Sequence, residues 1–259
     1  MSERMISARA VSKRFGAVVA ADKVTVEIAA GEVVGIIGAN GAGKTTFVNI
    51  VTGYLKPDEG AIFFRGVDIT RMPPREVTRV GIRRSFQVAQ LFPNLSVRDN
   101  VLVALACAEQ SRPSPATALR TPARLAQAQN LLTRVGLQDA AERATTELPQ
   151  GQRKLLDIAL ATVGRSAVLL LDEPTSGISA EEKFPLMDLV MAAATTDGAA
   201  LLFVEHDMEI VERYAVRVIA FYEGRVIADG APDLVLADAD VRRYVVGAEL
   251  HRRTEGTRT

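Results

Sequence analysis

The stretch GANGAGKTT, Gly38 to Thr46, narrows the possible folds of this chain more than any other. It follows directly on the apolar run Val33 to Ile37, which has little alternation and reads as a strand covered on both faces. Lys44 to Val51 then reads as a helix, closed by Gly53 where a left-handed cap is common. Gly38, Gly43, Lys44 and Thr45 fit G-x-x-x-x-G-K-[ST], with Ala39, Asn40, Gly41 and Ala42 between them and Thr46 behind. Glycines let consecutive main-chain N–H groups turn inward around an anion, and the helix start adds the positive end of its dipole. In this strand–loop–helix setting the anion is a nucleotide's phosphate chain. Lys44 is expected to reach the β- and γ-phosphates, and the Thr45 hydroxyl to meet Mg²⁺. Such chemistry also needs a carboxylate on a neighbouring strand. Asp172, at the end of the apolar run AVLLL, supplies the metal's partner, and Glu173 beside it is placed to orient and deprotonate an attacking water.

Composition excludes several other classes. The chain has 259 residues, with 31 basic and 31 acidic side chains, so no global charge grips a nucleic acid. Cys107 is the single cysteine, so no intrachain disulfide forms. The opening MSERMISARA lacks an apolar core of signal-peptide length, and no segment approaches the ~18 uninterrupted apolar residues of a membrane span. The chain is not expected to cross a bilayer by itself.

The remaining pattern predicts an α/β core interrupted by helices. Val24, Val26 and Ile28 alternate with Thr25 and Glu27, as in a half-buried strand. KPDEG, Lys56 to Gly60, reads as a turn before another strand, AIFF. From about Ser85 to Leu160 strand signals fade, and Leu125, Ala128, Leu132 and Val135 share one helical face with Gly136 just beyond. Ser111 to Arg124 holds three prolines and reads as an irregular connection. Strand patterns resume at Ala167 to Glu173 and at Ala200 to Val204, and Val216 to Gly230 reads as a hairpin turning at Glu223 and Gly224. The polar tail after Leu250 is expected to fray.

From about Ile6 to Ala248 the chain resembles the ATP-binding subunit of an ABC transporter. Beyond the two nucleotide motifs, the likeness rests on four stretches. RFGA, Arg14 to Ala17, resembles the loop whose aromatic ring stacks on adenine, a role that falls to Phe15. SFQ resembles the Q-loop, with Gln87 touching Mg²⁺ or the attacking water and sensing the membrane partner. LPQGQ stands in the place of the LSGGQ signature, just before a helix. Leu148, Gly151 and Gln152 match, whereas Pro149 replaces the usual serine and Gln150 the first glycine. EHD, Glu205 to Asp207, follows a strand as the switch histidine does, so the resemblance gives His206 a hydrogen bond to the γ-phosphate. Ser179 stands where the family often has an acidic or amide residue.

The resemblance implies a P-loop ABC ATPase core with an antiparallel β subdomain and an inserted helical subdomain. Residues 1–248 would form one domain, with its core near 1–86 and 161–248, the helical part near 87–160, and a tail at 249–259. It also implies ATP and Mg²⁺ as ligands, catalytic roles for Glu173, His206 and Gln87, and metal contacts from Thr45, Gln87 and Asp172. LPQGQ would complete the site of a second ATPase subunit, identical or different. Two membrane permeases and an external solute-binding protein are the further partners, with the chain peripheral to the cytoplasmic face of the membrane. GIRRSFQVAQLFPNLSVRDNVLVA and VEHDMEIV look like the importer branch serving branched-chain amino acids, related amino acids, amides or urea. Val88 to Arg98 is the implied coupling surface; Leu91, Phe92 and Leu95 either touch the permease or pack inside the helical part. An ABC ATPase exporting lipid or lipopolysaccharide, or a soluble ABC ATPase, stands as the alternative. A long coiled coil or a second cassette would mark the soluble kind, and a guanine-reading N-K-x-D a GTPase; neither occurs here.

Overall fold

The computed structural model describes residues 3–85, 91–109, 118–164, 166–195 and 198–247. The strands are β1 (Arg4–Phe15), β2 (Val18–Ala29), β3 (Val33–Gly38), β4 (Glu59–Phe64), β5 (Val67–Asp68), β6 (Ile82–Arg84), β7 (Val168–Asp172), β8 (Ala200–Val204), β9 (Arg217–Tyr222) and β10 (Arg225–Gly230). The helices are α1 (Lys44–Val51), α2 (Pro74–Val80), α3 (Val97–Glu109), α4 (Pro122–Arg134), α5 (Gln150–Thr162), α6 (Ala180–Thr195), α7 (Met208–Tyr214) and α8 (Pro232–Ala237). Two sheets result. One is antiparallel, in the order β2-β1-β4-β5; the other runs β10-β9-β3-β8-β7-β6 and is parallel except for β10.

The central strands β3, β7 and β8 are buried throughout, which explains their unbroken apolar sequence. Their period of two still operates, because alternate side chains enter different cores. Val33, Ile37, Leu169, Leu171, Leu201 and Phe203 join α3, α4, α5, α6 and α7 in one cluster. Val34, Ile36, Val168, Leu170, Leu202 and Val204 join α1 and the antiparallel sheet in the other. Each such side chain contributes about 1.5–3 kcal/mol by leaving water. In β2 the expected alternation holds: Val24, Val26 and Ile28 are buried and Thr25 and Glu27 exposed.

On α4, Ala128 and Leu132 are fully buried and Leu125 packs against the same core. Its start differs from the expected irregular stretch. Thr121 Oγ1 accepts from Arg124 N and Pro122 occupies the first turn, so Pro122 to Arg124 are helical. Proline at a helix start forfeits only an N–H that would have had no intrahelical partner. The hairpin turns as expected, with Glu223 and Gly224 both at positive φ. Residues 248–259 lie outside the described set.

Candidate functional site

The parallel register brings the candidate residues to one edge. Ile36 of β3 and Asp172 of β7 both pair with Val204 of β8, so the three strands deliver Gly38, Glu173 and His206 to the carboxyl end of the sheet. The loop after β3 is pressed against its neighbours. Gly43 has φ 103°, and a Cβ there would lie 2.3 Å from Ala20 O. Gly224 N donates to Ala42 O at 2.9 Å, tying the loop to the β9–β10 turn. Lys44 is only 5% exposed, and its ammonium donates to Gly38 O at 2.5 Å and Ala39 O at 3.1 Å. Asn40, Gly41 and Thr45 are exposed, Ala39 and Thr46 half-buried, and Ala42 buried. No side-chain hydrogen bond caps the start of α1.

At the end of β7, Asp172 is buried, and its Oδ2 receives Arg84 Nη2 at 2.6 Å. Arg84 Nη1 donates to Asn49 Oδ1 on α1. Glu173 sits at φ 48°, a left-handed conformation that costs a non-glycine residue about 1–3 kcal/mol and persists only where the surroundings enforce it. Its N–H donates to Val204 O at 3.0 Å, which holds the turn to β8. Glu173 Oε1 and His206 Nε2 lie 3.2 Å apart, both side chains partly open to solvent.

Glu205 underpins this pair. Its Oε1 accepts from Thr175 N at 2.8 Å and Thr175 Oγ1 at 2.7 Å, and its Oε2 accepts from His206 N at 3.2 Å. Burial pushes the Glu205 carboxyl above its ordinary value, against those hydrogen bonds. Lys154 of α5 is also buried, which pulls its ammonium below the usual lysine range; Nζ donates to Asp172 O at 3.3 Å. Arg84, Asn49, Glu205, Thr175 and Lys154 were not anticipated from the sequence. Two successive arginines after Ile82 on a strand were the available sign for Arg84, and adjacency to His206 for Glu205.

Phe15 ends β1 and is 51% exposed, with Lys13 Nζ 5.7 Å from the ring centroid, so its ring is offered to solvent and not to a core. Gln87 lies outside the described residues, as do Val88 to Gln90. Of the three apolar side chains of the expected coupling surface, only Phe92 is markedly exposed. Leu91 packs on the helical core and Leu95 is half-buried, since the segment folds back over Asn100, whose Oδ1 accepts from Phe92 N at 2.8 Å.

The LPQGQ stretch is divided differently from expectation. Leu148 is buried in the helical core, Pro149 is the N-cap of α5, and Gln150, Gly151 and Gln152 already form its first turn. Proline's fixed φ suits that entry, observed at −55°, so the helix begins two residues after Leu148. Gln152 Oε1 is buried with no hydrogen-bond partner among the described residues. Gln150 Nε2 lies against Gly177 in the loop after Glu173.

Among the described residues no three His, Cys, Asp or Glu side chains gather as a metal cage. A hydroxyl at Thr45 and one carboxylate at Asp172 would suit a hard cation that takes its remaining oxygens from phosphate and water, a chemistry that fits Mg²⁺.

A wound parallel sheet with a glycine-rich phosphate loop, a carboxylate pair at the next strand but one and an added antiparallel sheet define an ATP-binding cassette. The ABC transporter family model matches residues 21–176, and the chain belongs to that family. The high-affinity branched-chain amino acid transport ATP-binding protein LivG of Escherichia coli K12 is 33% identical over 255 residues, 95% of this chain and 99% of LivG. The probable branched-chain amino acid transport ATP-binding protein LivG of Archaeoglobus fulgidus is 31% identical over 249 residues, covering 95% of this chain and 96% of that protein. A solved ABC transporter cassette in its ADP conformation superposes with a TM-score of 0.81 at 29% identity, over 93% of this chain and 97% of that one. A dimeric bacterial ABC transporter cassette gives 0.77 at 26% identity, over 88% of this chain and 99% of the cassette.

Proposed function

We propose that this chain is the ATP-hydrolysing subunit of an importer for branched-chain or related amino acids. The observation that carries the catalytic part is the 3.2 Å approach of His206 Nε2 to Glu173 Oε1 on the edge that also bears the phosphate loop. Main-chain N–H groups of residues 38–46 bind the triphosphate, Lys44 exchanging its loop carbonyls for β- and γ-phosphate oxygens. Phe15 stacks on the adenine. Thr45 and Asp172, with Gln87 as the resemblance implies, would hold Mg²⁺, which would supply neutralisation of phosphate charge. Glu173 takes the proton of a water whose oxygen attacks the γ-phosphorus. The bond to the bridging oxygen breaks, leaving ADP and phosphate. His206 fixes the Glu173 carboxylate and donates to the γ-phosphate.

The relatives named above are transport ATP-binding proteins, and a dimeric cassette shares the fold. They support a complex of two ATPase subunits, two permeases and an external binding protein at the cytoplasmic membrane face. No helix among the described residues is long and apolar enough to cross a membrane. Residues 1–248 act as one cassette with a helical part near 87–160. A permease segment docks beside Phe92 and in the cavity of about 250 Å³ lined by Tyr54, Thr78, Ile82, Arg83 and Leu160, where β6 runs toward residues 86–90.

The test is the intact complex in liposomes. Labelled leucine, isoleucine or valine should accumulate with ATP and the binding protein, and fail to do so with Glu173→Gln. Export, or uptake of none of these solutes, overturns the substrate assignment.

A further inference from the structure

Arg84 joins three pieces of the site through one side chain. It ends the three-residue edge strand β6, just before residues 86–90. Its side chain is 8% exposed and that of Asp172 is 5% exposed, and their charged atoms meet at 2.6 Å. The second arm of the same guanidinium reaches Asn49 on the phosphate-loop helix. Main-chain pairing holds β6 to β7 on one side only, from Ile82 opposite Val168 to Arg84 opposite Leu170, with Ser85 N donating to Leu170 O at 2.9 Å just beyond. The Arg84 fork adds side-chain links from the end of this edge strand to Asp172 and to the phosphate-loop helix.

We infer that Arg84 is the resident counter-charge of Asp172, so that Mg²⁺ and the guanidinium compete for one carboxylate and metal binding loosens the strand leading to residues 86–90. This rests on the reading of Asp172 as the metal's partner. A buried carboxylate needs a cation, and a removed partner leaves a costly lone charge. Two cations on one carboxylate repel each other strongly where water is scarce. As the metal arrives, the Arg84 contact weakens. The strand end it held then gains freedom beside the cavity assigned to the permease.

The experiment measures ADP affinity of the full-length chain by calorimetry, in EDTA and in Mg²⁺, and takes the ratio as the metal's enhancement. Arg84→Gln keeps hydrogen-bonding capacity but removes the charge, and should raise that enhancement about tenfold. Arg84→Lys, which keeps the charge, should stay within about threefold of the parent. An unchanged or smaller enhancement in Arg84→Gln overturns the competition. If the parent chain itself shows no enhancement, the reading of Asp172 as metal partner fails instead, and the competition falls with it. Should Arg84→Gln not fold, the parent chain still decides the matter through ¹⁵N-detected arginine spectra, assigned with Arg84→Lys. The Arg84 Nη resonances should move toward those of solvated arginines when Mg²⁺ is added to the ADP complex. Resonances that stay fixed overturn the inference.

Discussion

The two nucleotide-facing regions of this chain are built to different degrees of completeness. The edge formed by β3, β7 and β8 is held from every side. Lys44 is bound to its own loop, Asp172 to Arg84, and Glu173 is kept in a left-handed turn near His206. The LPQGQ turn is only a helix start. Its N-cap is a proline without a hydroxyl, Gln150 is exposed, and the Gln152 carbonyl oxygen is buried without a partner among the described residues. On the proposed function, the first region carries its chemistry within one chain, whereas the second would offer its helix start to another subunit's nucleotide. On that same proposal, such a cassette would divide its labour unequally, its own edge hydrolysing and its signature turn clamping more weakly.

The contrast breaks most sharply at Glu173. Glu173→Gln keeps shape and loses the base, so ATPase turnover of the assembled complex should fall about 10²–10⁴-fold while nucleotide affinity holds. An active Glu173→Gln would end the assignment. Lys44→Ala removes charge-assisted bonds to phosphate of about 1.5–3 kcal/mol each, so nucleotide affinity should drop about a hundredfold in a calorimetric titration. Retained affinity would move the site elsewhere. Pro149→Ser supplies the missing hydroxyl to the signature turn and should raise turnover of the assembled complex by up to about tenfold. No change would mean that the turn already suffices.

Smaller effects sharpen the picture. Phe15→Ala should weaken ATP binding about fivefold or more, since stacking a base contributes about 1–3 kcal/mol, with equal loss for GTP and ATP. Glu205 gives the last test. Its folded carboxyl titrates above its ordinary value of 4.5, so the folded chain holds that proton more tightly than the unfolded one. Stability from this group is full below 4.5 and is lost as pH rises through the raised value. Urea unfolding of Glu205→Gln should therefore show a flatter fall in stability across that window than the parent.

Much of this architecture is legible in the sequence. The phosphate loop, Asp172 and Glu173 announce themselves because their chemistry demands fixed spacing beside apolar strands. The strands β3, β7 and β8 and the α4 face were equally plain, because burial writes itself as unbroken or periodic apolar runs. The start of α4 is not legible in the same way, because three prolines suggest an irregular path although the Thr121 cap makes Pro122 a helix starter. Leu91 and Leu95 were equally open to core or partner, because an apolar residue in a loop carries no sign of which surface it meets. The supporting shell was invisible for a related reason. Arg84 and Asn49 lie 35 positions apart, and Glu205 and Thr175 lie 30 apart; only folding makes them neighbours.

The alternation of β3, β7 and β8 between two cores has a mechanical corollary. A plate whose successive rungs are anchored in opposite lobes resists bending toward either, because any tilt that relaxes one lobe compresses the other. Displacement is then channelled to the plate's rim. A stiff plate of this build is expected to move as a unit, its short rim segments taking up the bending.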